Sequence, residues 1–219
     1  MASSAPSERA RVRRAPARAD YDRATIDAIL DEALVAHLGF VVDGRPYVIP
    51  TLHARRGDEV YLHGSAASRM VKTLGAGVPV CLTVTLIDGL VLARSAFHHS
   101  MNYRSVVVLG RARMVEGVEE RKAALEVFTE RLVPGRWGEV RPPSPQELKG
   151  TRVLALSLDE ASAKVRTGGP VDDKEDYASD AWAGTVPLRL APGAIEPDPL
   201  LRGDVSLSPS VAAWVEGAV

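Results

Sequence analysis

The sequence predicts a mainly β protein with a few helices, folded as an antiparallel barrel. About six segments rich in β-branched and other apolar residues follow one another between residues 37 and 158. Two connections contain Asp-Gly pairs, Asp43-Gly44 and Asp88-Gly89, which are the strongest short signal for a β-hairpin. Few helical segments separate the strands, whereas a parallel α/β sheet needs a helix after nearly every strand.

The bulk composition is that of an ordinary globular domain. Of 219 residues, 46% are hydrophobic and 25% are charged, and the formal net charge is -1. Because this charge gives no strong overall field, we expect neither nucleic acid nor an anionic membrane surface as a partner. A single cysteine, Cys81, excludes an internal disulfide and agrees with a reducing compartment. No apolar run approaches the ~20 residues of a membrane span, so we expect a cytoplasmic protein.

The chain divides into three parts. Residues 1–19 are rich in Ala, Ser and Arg and have no hydrophobic period, which predicts a disordered arm. Residues 20–160 hold the barrel domain, which opens with an amphipathic helix capped by Asp20. Residues 161–219 are acidic and rich in Pro and Gly, and we expect an irregular extension that wraps over the barrel or over a dimer partner.

The local patterns place the remaining elements of the barrel. A short helix is predicted over residues 68–74, with Ser68 as N-cap and Gly75 just past its end, and a longer helix spans 118–132. The predicted strands cover residues 37–42, 46–53, 59–63, 79–87, 90–94, 103–115 and 153–158.

Several well-known cofactor motifs are missing from the sequence. No G-x-G-x-x-G follows a strand and no G-x-x-x-x-G-K-[ST] occurs, so neither a Rossmann site nor a P-loop is predicted. The five histidines form no H-E-x-x-H pattern and have no cysteine pair beside them, so we predict no metal site. His63, at the end of a predicted strand, is the best functional candidate among them. A heme-ligand role for one of the histidines stays open.

The stretch YLHGSAASRMVK, residues 61–72, is typical of an anion site. A strand ends and a short helix begins there, and the first turn of a helix offers unpaired N–H groups to a phosphate. Arg69 lies in that turn, and its planar guanidinium binds phosphate oxygens in pairs. Lys72, one turn further on, can add a second positive charge. A solvated helix cap with basic neighbours is the alternative interpretation.

The second informative stretch is MNYRSVVVLG, residues 101–110. Four polar residues enter a strand that is then continuously apolar and therefore buried for most of its length. Polar groups at such an entry are expected to bond to the backbone or to a ligand. A polar strand end that faces water is the alternative.

Together the two stretches resemble the pyridoxamine 5′-phosphate oxidase-like family of FMN-binding split barrels, and in particular its nitroimidazole-resistance-type branch. The order of elements matches, and the segments KVRTGGPVDDKEDY and WAGTVPL look like the C-terminal part of that branch. The resemblance covers roughly residues 20–190. It implies a six-stranded antiparallel split β-barrel that binds FMN as a homodimer, with the flavin at the interface between the two chains.

The resemblance also implies roles for individual residues. The phosphate would be held by Ser68, Arg69 and Arg104, with Lys72 in place of the basic residue that the oxidase has where Met70 stands here. The C-terminal extension would cross the dimer interface, with Trp182, rather than Trp137, against the flavin ring and Arg166 facing the phosphate or substrate. The isoalloxazine edge would meet Val48, Ile49, Pro50 and Thr51, the ribityl chain would lie beside His63, Gly64 and Ser65, and Ser105 would approach the flavin from a neighbouring strand.

The function predicted on this basis is that of an FMN-dependent oxidoreductase. The flavin carries the chemistry, so no catalytic side chain is predicted. The substrate would be a small molecule such as a nitro compound, a pyridoxamine-like amine or a quinone, with a reduced nicotinamide as electron donor. The alternative is a non-enzymatic sensor or storage module that binds flavin or heme. A deazaflavin in place of FMN also stays open.

Overall fold

Two antiparallel sheets form the body of the computed structural model, which describes residues 4–217. The larger sheet has the order β1 (Ala19–Asp20), β10 (Ala161–Arg166), β7 (Ser100–Arg111), β6 (Pro79–Leu92), β2 (Val35–Val42) and β3 (Arg45–Leu52). An additional strand, β11 (Gly184–Pro187), pairs with the C-terminal part of β6 on the side opposite β7. The smaller sheet has the order β4 (Ala54–Arg56), β5 (Glu59–Ser65), β9 (Thr151–Ser157) and β8 (Arg113–Met114). The helices are α1 (Arg23–Glu32), α2 (Arg69–Gly75), α3 (Val118–Leu132), α4 (Pro145–Gly150) and α5 (Pro209–Gly217).

The main core lies where the two sheets and helices α1 and α2 meet. Leu38, Leu82, Leu62 and Leu156 are fully buried there, two from each sheet. Side chains alternate along the strands, so that the same strands present a second row of residues outward. The mainly β, antiparallel fold predicted from the sequence is confirmed, and no helix among residues 4–217 is long and apolar enough to span a membrane.

Several elements that short sequence motifs predict are present in the structure. Asp43 and Gly44 both have positive φ, of 50° and 73°, as a two-residue hairpin between β2 and β3 requires. Ser68 caps α2, since its Oγ accepts a hydrogen bond of 3.1 Å from the amide of Val71. Helix α3 has the predicted limits, whereas α2 includes Gly75 rather than stopping before it.

The prediction of a hairpin turn at Asp88-Gly89 is wrong. Strand β6 continues through both residues to Leu92, with a bulge between Ile87 and Gly89. Gly89 is needed for a different reason: a Cβ there would lie 2.9 Å from the carbonyl oxygen of Val186 on β11. The glycine thus permits β11 to approach β6, and the true turn to β7 lies after Leu92.

The N-terminal segment also differs from the disordered arm that the sequence predicts. The amide of Val12 donates to the Tyr21 hydroxyl at 2.9 Å, Arg9 pairs with Glu160, and β1 pairs with β10. The last two contacts are made with residues distant in sequence, which local composition does not reveal. The following helix is capped by Asp22 instead of Asp20.

The extension beyond residue 160 is more regular than predicted. Strand β10 pairs with six residues of β7, and β11 pairs with the end of β6. Between them the fully buried Asp172 carboxylate accepts hydrogen bonds of 3.0 Å from the Arg94 amide and side chain. The acidic composition of this segment is therefore compatible with specific packing on the barrel.

Candidate functional site

The junction between β5 and α2 presents hydroxyl groups and positive charge together. The Oγ atoms of Ser65 and Ser68 accept hydrogen bonds from the amides of Ala67 and Val71, at 3.2 and 3.1 Å. Each hydroxyl keeps its hydrogen to donate. Gly64 permits close packing of the strand on the helix, since a Cβ there would lie 3.0 Å from Val71 Cγ2.

Arg69 connects this junction to strand β3. Its guanidinium carbon lies 4.8 Å from the centre of the Tyr47 ring, a cation–π arrangement that orients the side chain. Tyr47 in turn stacks on Phe40, with ring centres 5.8 Å apart. Among the described residues, Arg69 and the exposed Lys72 form no ion pair, so both charges are available to an anion.

The residues predicted to meet the isoalloxazine follow Tyr47 on the same edge strand. Val48 and Pro50 are exposed, with Val48 66% exposed, whereas Ile49 faces the core. Thr51 donates from its hydroxyl to the carbonyl of Leu52 at 3.3 Å. An exposed edge strand with alternating apolar residues, beside a basic helix start, can border a flat ligand that lies across it.

His63 belongs to a second site on the opposite side of β5. Its ring contacts the ring of Phe128 on α3, with centres 4.5 Å apart in an edge-on arrangement. It lines a cavity of about 490 Å³ between α3, the 3₁₀ turn Arg136–Glu139 and the start of β9. The apolar part of the wall is formed by Leu52, Leu125, Phe128, Leu132, Trp137 and Val140.

The imidazole in this cavity has an unused nitrogen. His63 Nδ1 is buried and has no hydrogen-bond partner among the described residues. Burial lowers the pKa of His63 below its ordinary value, so the ring is neutral at pH 7. A neutral imidazole with a free nitrogen in an apolar cavity is suited to ligate a metal-containing cofactor. Arg141, which pairs with Glu147, lies at the same cavity.

Arg104 does not fit the phosphate role predicted from the sequence. Glu32 binds its guanidinium through both carboxylate oxygens, and Asp88 lies 2.7 Å from Nη2. These two carboxylates raise the pKa of Arg104 and occupy its donors. Arg104 lines a different cavity, between α1, β6 and the C-terminal extension. Ser105, next to it, donates to the carbonyl of Lys164 at 3.3 Å and so supports the pairing of β7 with β10.

Arg166 and Trp182, which the sequence predicts to reach the flavin from the C-terminal extension, contact residues of their own chain. Arg166 is buried, and its guanidinium donates to Asn102 Oδ1 at 2.5 Å and to the carbonyl of Gly169 at 3.3 Å. Trp182 is 67% exposed and lies over its own segment, against Gly184. The tryptophan that lines a cavity with His63 is Trp137.

The paired histidines lie in the loop between β6 and β7. Nε2 of His98 is 3.2 Å from Asp173 Oδ2, and Nδ1 of His99 is 2.9 Å from the carbonyl of Ser95. His98, Asp173 and Asp176 offer three ligand atoms within 4.8 Å of one another, and the first two of these residues are hydrogen-bonded to each other.

Comparison with known proteins identifies the family. The family model described as pyridoxamine 5′-phosphate oxidase matches residues 22–165, about two thirds of the chain. The chain belongs to this family. Its members form a flavin-binding group, so the resemblance drawn from the two sequence stretches is confirmed.

Two solved structures resemble this family member over nearly its full length. The flavocytochrome Anf3 from Azotobacter vinelandii is 44% identical, with 96% of this chain and 98% of that chain covered and a TM-score of 0.91. An FAD and heme binding protein from Mycobacterium smegmatis is 36% identical, with 90% and 96% covered and a TM-score of 0.86. A protein from Bacteroides thetaiotaomicron, described as a 5-nitroimidazole antibiotic resistance protein, shares the fold at 24% identity, with 67% of this chain and 86% of that chain covered and a TM-score of 0.57. No curated protein sequence matches the chain.

The sequence reasoning missed the partners that complete both sites. Tyr47 lies directly before the predicted flavin strand but carries no motif of its own. Phe128 and Leu132 have the spacing of an ordinary buried helix stripe, and Trp137 was only the alternative to Trp182 for the ring. Knowledge that α3 packs beside β5 would have identified His63 and Phe128 as neighbours, but the spacing of residues within each segment does not predict this contact.

Proposed function

We propose that this protein is a flavin-dependent oxidoreductase that also binds heme, with the flavin phosphate at Arg69 and the heme at His63. The observation that carries the proposal is the half-buried imidazole of His63, which lines a cavity with apolar and aromatic walls and has no hydrogen-bond partner among residues 4–217. It is supported by the names of the two full-length relatives, a flavocytochrome and an FAD and heme binding protein.

The β5–α2 junction fits a flavin phosphate. Two serine hydroxyls retain donor hydrogens, and the Arg69 guanidinium is held by Tyr47 without an opposing carboxylate. Charge-assisted hydrogen bonds to phosphate are among the stronger polar contacts in proteins. FMN, which the sequence predicts, and FAD, which occurs in the relative's name, both carry a phosphate on the ribityl chain, so this junction serves either.

The His63 cavity fits a heme in chemistry and in size. Imidazole is a common axial ligand of heme iron, and apolar walls exclude water from the ring. A volume of about 490 Å³ lies in the range of cofactor cavities. Phe128 fixes the orientation of the imidazole through the edge-on contact.

The two sites lie on opposite sides of one strand, which suits electron transfer between them. Bound at these sites, a flavin would supply two-electron chemistry with a reduced nicotinamide and a heme would supply one-electron chemistry. The chain would supply the positions, with Arg69 anchoring the flavin phosphate on one side of β5 and His63 holding the heme on the other. The substrate we propose is a small molecule such as a quinone or a nitro compound.

Optical spectroscopy with one matched variant tests this proposal. The purified protein, supplied with heme, should show a flavin band near ~450 nm and a Soret band, and the mass of the released flavin will distinguish FMN from FAD. His63→Ala should lose the Soret band and keep the flavin band. His99→Ala, in an exposed loop, is the control and should keep both. A Soret band that survives unchanged in His63→Ala contradicts the assignment of the ligand.

A further inference from the structure

A second, larger cavity lies apart from both sites described above. Its volume is about 1080 Å³, and it is bordered by the end of α1, the outer half of β6, Arg131 of α3 and the C-terminal extension. Five charged side chains line it, three arginines and two carboxylates, so their formal charges leave one positive charge uncompensated. The five are Glu32, Asp88, Arg104, Arg131 and Arg189.

The excess charge is localised on one side of the cavity. Arg104 is bound by both Glu32 and Asp88, which compensate its charge and fix that group on the wall. In the described part of the chain, Arg131 and Arg189 have no carboxylate within ion-pair distance. The positive potential therefore comes from these two arginines.

Arg131 is held in place and still has unused hydrogen-bonding capacity. Its Nη2 donates to the carbonyl of Ala33 at 3.0 Å, whereas its buried Nε has no partner among residues 4–217. Burial lowers the pKa of the Arg131 guanidinium, as expected for a partly desolvated cation whose charge is incompletely compensated. A bound anion would compensate that charge.

Apolar side chains complete the cavity on either side of the charged groups. Leu34, Leu86 and Ile87 come from the barrel, and Trp214 of α5 comes from the C-terminal extension. The indole offers a flat surface on which an aromatic ring can stack. This combination favours a ligand with an apolar body and one negative group.

We propose that this cavity binds a small aromatic carboxylate, with its carboxylate at Arg131 and Arg189 and its ring against Trp214. The site is formed by residues other than those assigned to the flavin and the heme, so it can be tested independently of the function proposed above. Trp214 and Arg189 lie in the extension, which gives this part of the chain a role in ligand binding.

Calorimetric titration of the full-length protein with 2-naphthoate tests the site, with neutral 2-naphthamide as the isosteric comparison. Arg189→Gln and Arg131→Gln should each weaken naphthoate binding at least about tenfold, because one charge-assisted contact is lost. Arg202→Gln, an exposed arginine outside the cavity, should leave it unchanged. Arg189 is on the surface, so its variant stays informative even if Arg131→Gln fails to fold.

The comparison of naphthoate with naphthamide shows whether binding depends on the negative charge of the ligand. The wild-type protein should bind naphthoate more tightly than naphthamide, and the difference should shrink in Arg189→Gln. Naphthoate binding should also quench tryptophan emission, and the quenching should fall in Trp214→Phe. No measurable naphthoate binding, an affinity equal to that of the amide, or an affinity unchanged in both arginine variants would overturn the proposal.

Discussion

His63 and Gly64 illustrate how neighbouring residues serve two different sites. Side chains on a strand alternate in direction, so His63 contacts Phe128 on α3 whereas Gly64 packs against α2. The sequence placed both beside one cofactor because they are adjacent in the motif. The structure separates them, and this separation would allow the proposed flavin site and the proposed heme site to share β5.

Replacement of Arg69 tests the flavin phosphate contact. Arg69→Ala should weaken flavin binding by about 1.5–3 kcal/mol, the range for a lost hydrogen bond to a charged group. Arg69→Lys should recover only part of this loss, because a lysine cannot form paired bonds with phosphate oxygens. Fluorescence titration of the apoprotein with FMN and FAD measures both. An unchanged affinity in Arg69→Ala means that the phosphate is bound elsewhere.

His53 should make stability depend on pH. It is fully buried, its Nε2 bonds to the carbonyl of Leu30 at 3.0 Å, and burial lowers its pKa below the ordinary value of 6.5. Below pH 6.5 the unfolded chain therefore binds a proton that the folded chain does not, and stability falls as the pH falls. We expect a loss of about 1–2 kcal/mol from this group between pH 7 and pH 5.

Urea denaturation of the apoprotein at a series of pH values measures this effect. His53→Gln should show a shallower decline between pH 7 and pH 5 than the wild type, and His99→Gln, in an exposed loop, should show the wild-type decline. Parallel declines in wild type and His53→Gln would mean that His53 is not the responsible group.

At the level of elements, the two Asp-Gly pairs show what local sequence can and cannot predict. Asp43-Gly44 forms a hairpin because the flanking strands β2 and β3 have only each other as neighbours at that end. Asp88-Gly89 has the same composition, but β6 there gains partners on both sides, β7 and the distant β11. The short dipeptide signal is therefore overridden by pairing with residues ~100 positions away, which no local pattern contains.

Gly89→Ala should loosen β11. The added Cβ would lie 2.9 Å from the Val186 carbonyl oxygen, which belongs to backbone and cannot rotate away. We expect a destabilisation of about 1–3 kcal/mol, as for overpacked positions, with faster amide hydrogen exchange in residues 184–187. Gly193→Ala, where a Cβ meets nothing within 4 Å, is the matched control. Equal exchange in the two variants would show that β11 tolerates the methyl group.

At the level of the whole molecule, one outer face of the larger sheet is unusually apolar. Val35 and Val41 of β2, Val48 of β3 and Ile87 of β6 are all between 49% and 66% exposed, and the strand register places them on the same face. Exposed apolar patches of this kind commonly mark interfaces. They support the homodimer expected from the sequence, with the flavin between the two chains.

Light scattering tests this assembly. We expect twice the mass of one chain at micromolar concentration, and Val41→Glu should shift the protein toward the monomer because it buries a charge in the interface. Val118→Glu carries the same change on an exposed position at the start of α3 and should remain dimeric. A wild-type protein that runs as a monomer with flavin bound contradicts the arrangement.

The sequence was most informative about the barrel and the Ser68-Arg69 junction, and least informative about pairing between charged side chains. Arg104 and Arg166 look like free basic residues in the sequence, yet Glu32 and Asp88 bind the first and Asn102 the second. These partners come from distant elements, so only the folded chain shows that both arginines are already occupied. The same long-range packing of α3 on β5 creates the His63 cavity.

Light-driven reduction of the loaded protein tests the central proposal, that flavin and heme act together in one electron path. With EDTA as electron source, illumination reduces the flavin without a nicotinamide, and the change in the heme spectrum is followed anaerobically. The wild type should show heme reduction that depends on the flavin, whereas flavin-depleted Arg69→Ala, with its Soret band intact, should reduce its heme at least about tenfold more slowly. Equal rates in the two proteins, or a heme that stays oxidised while the flavin is fully reduced, would contradict the account.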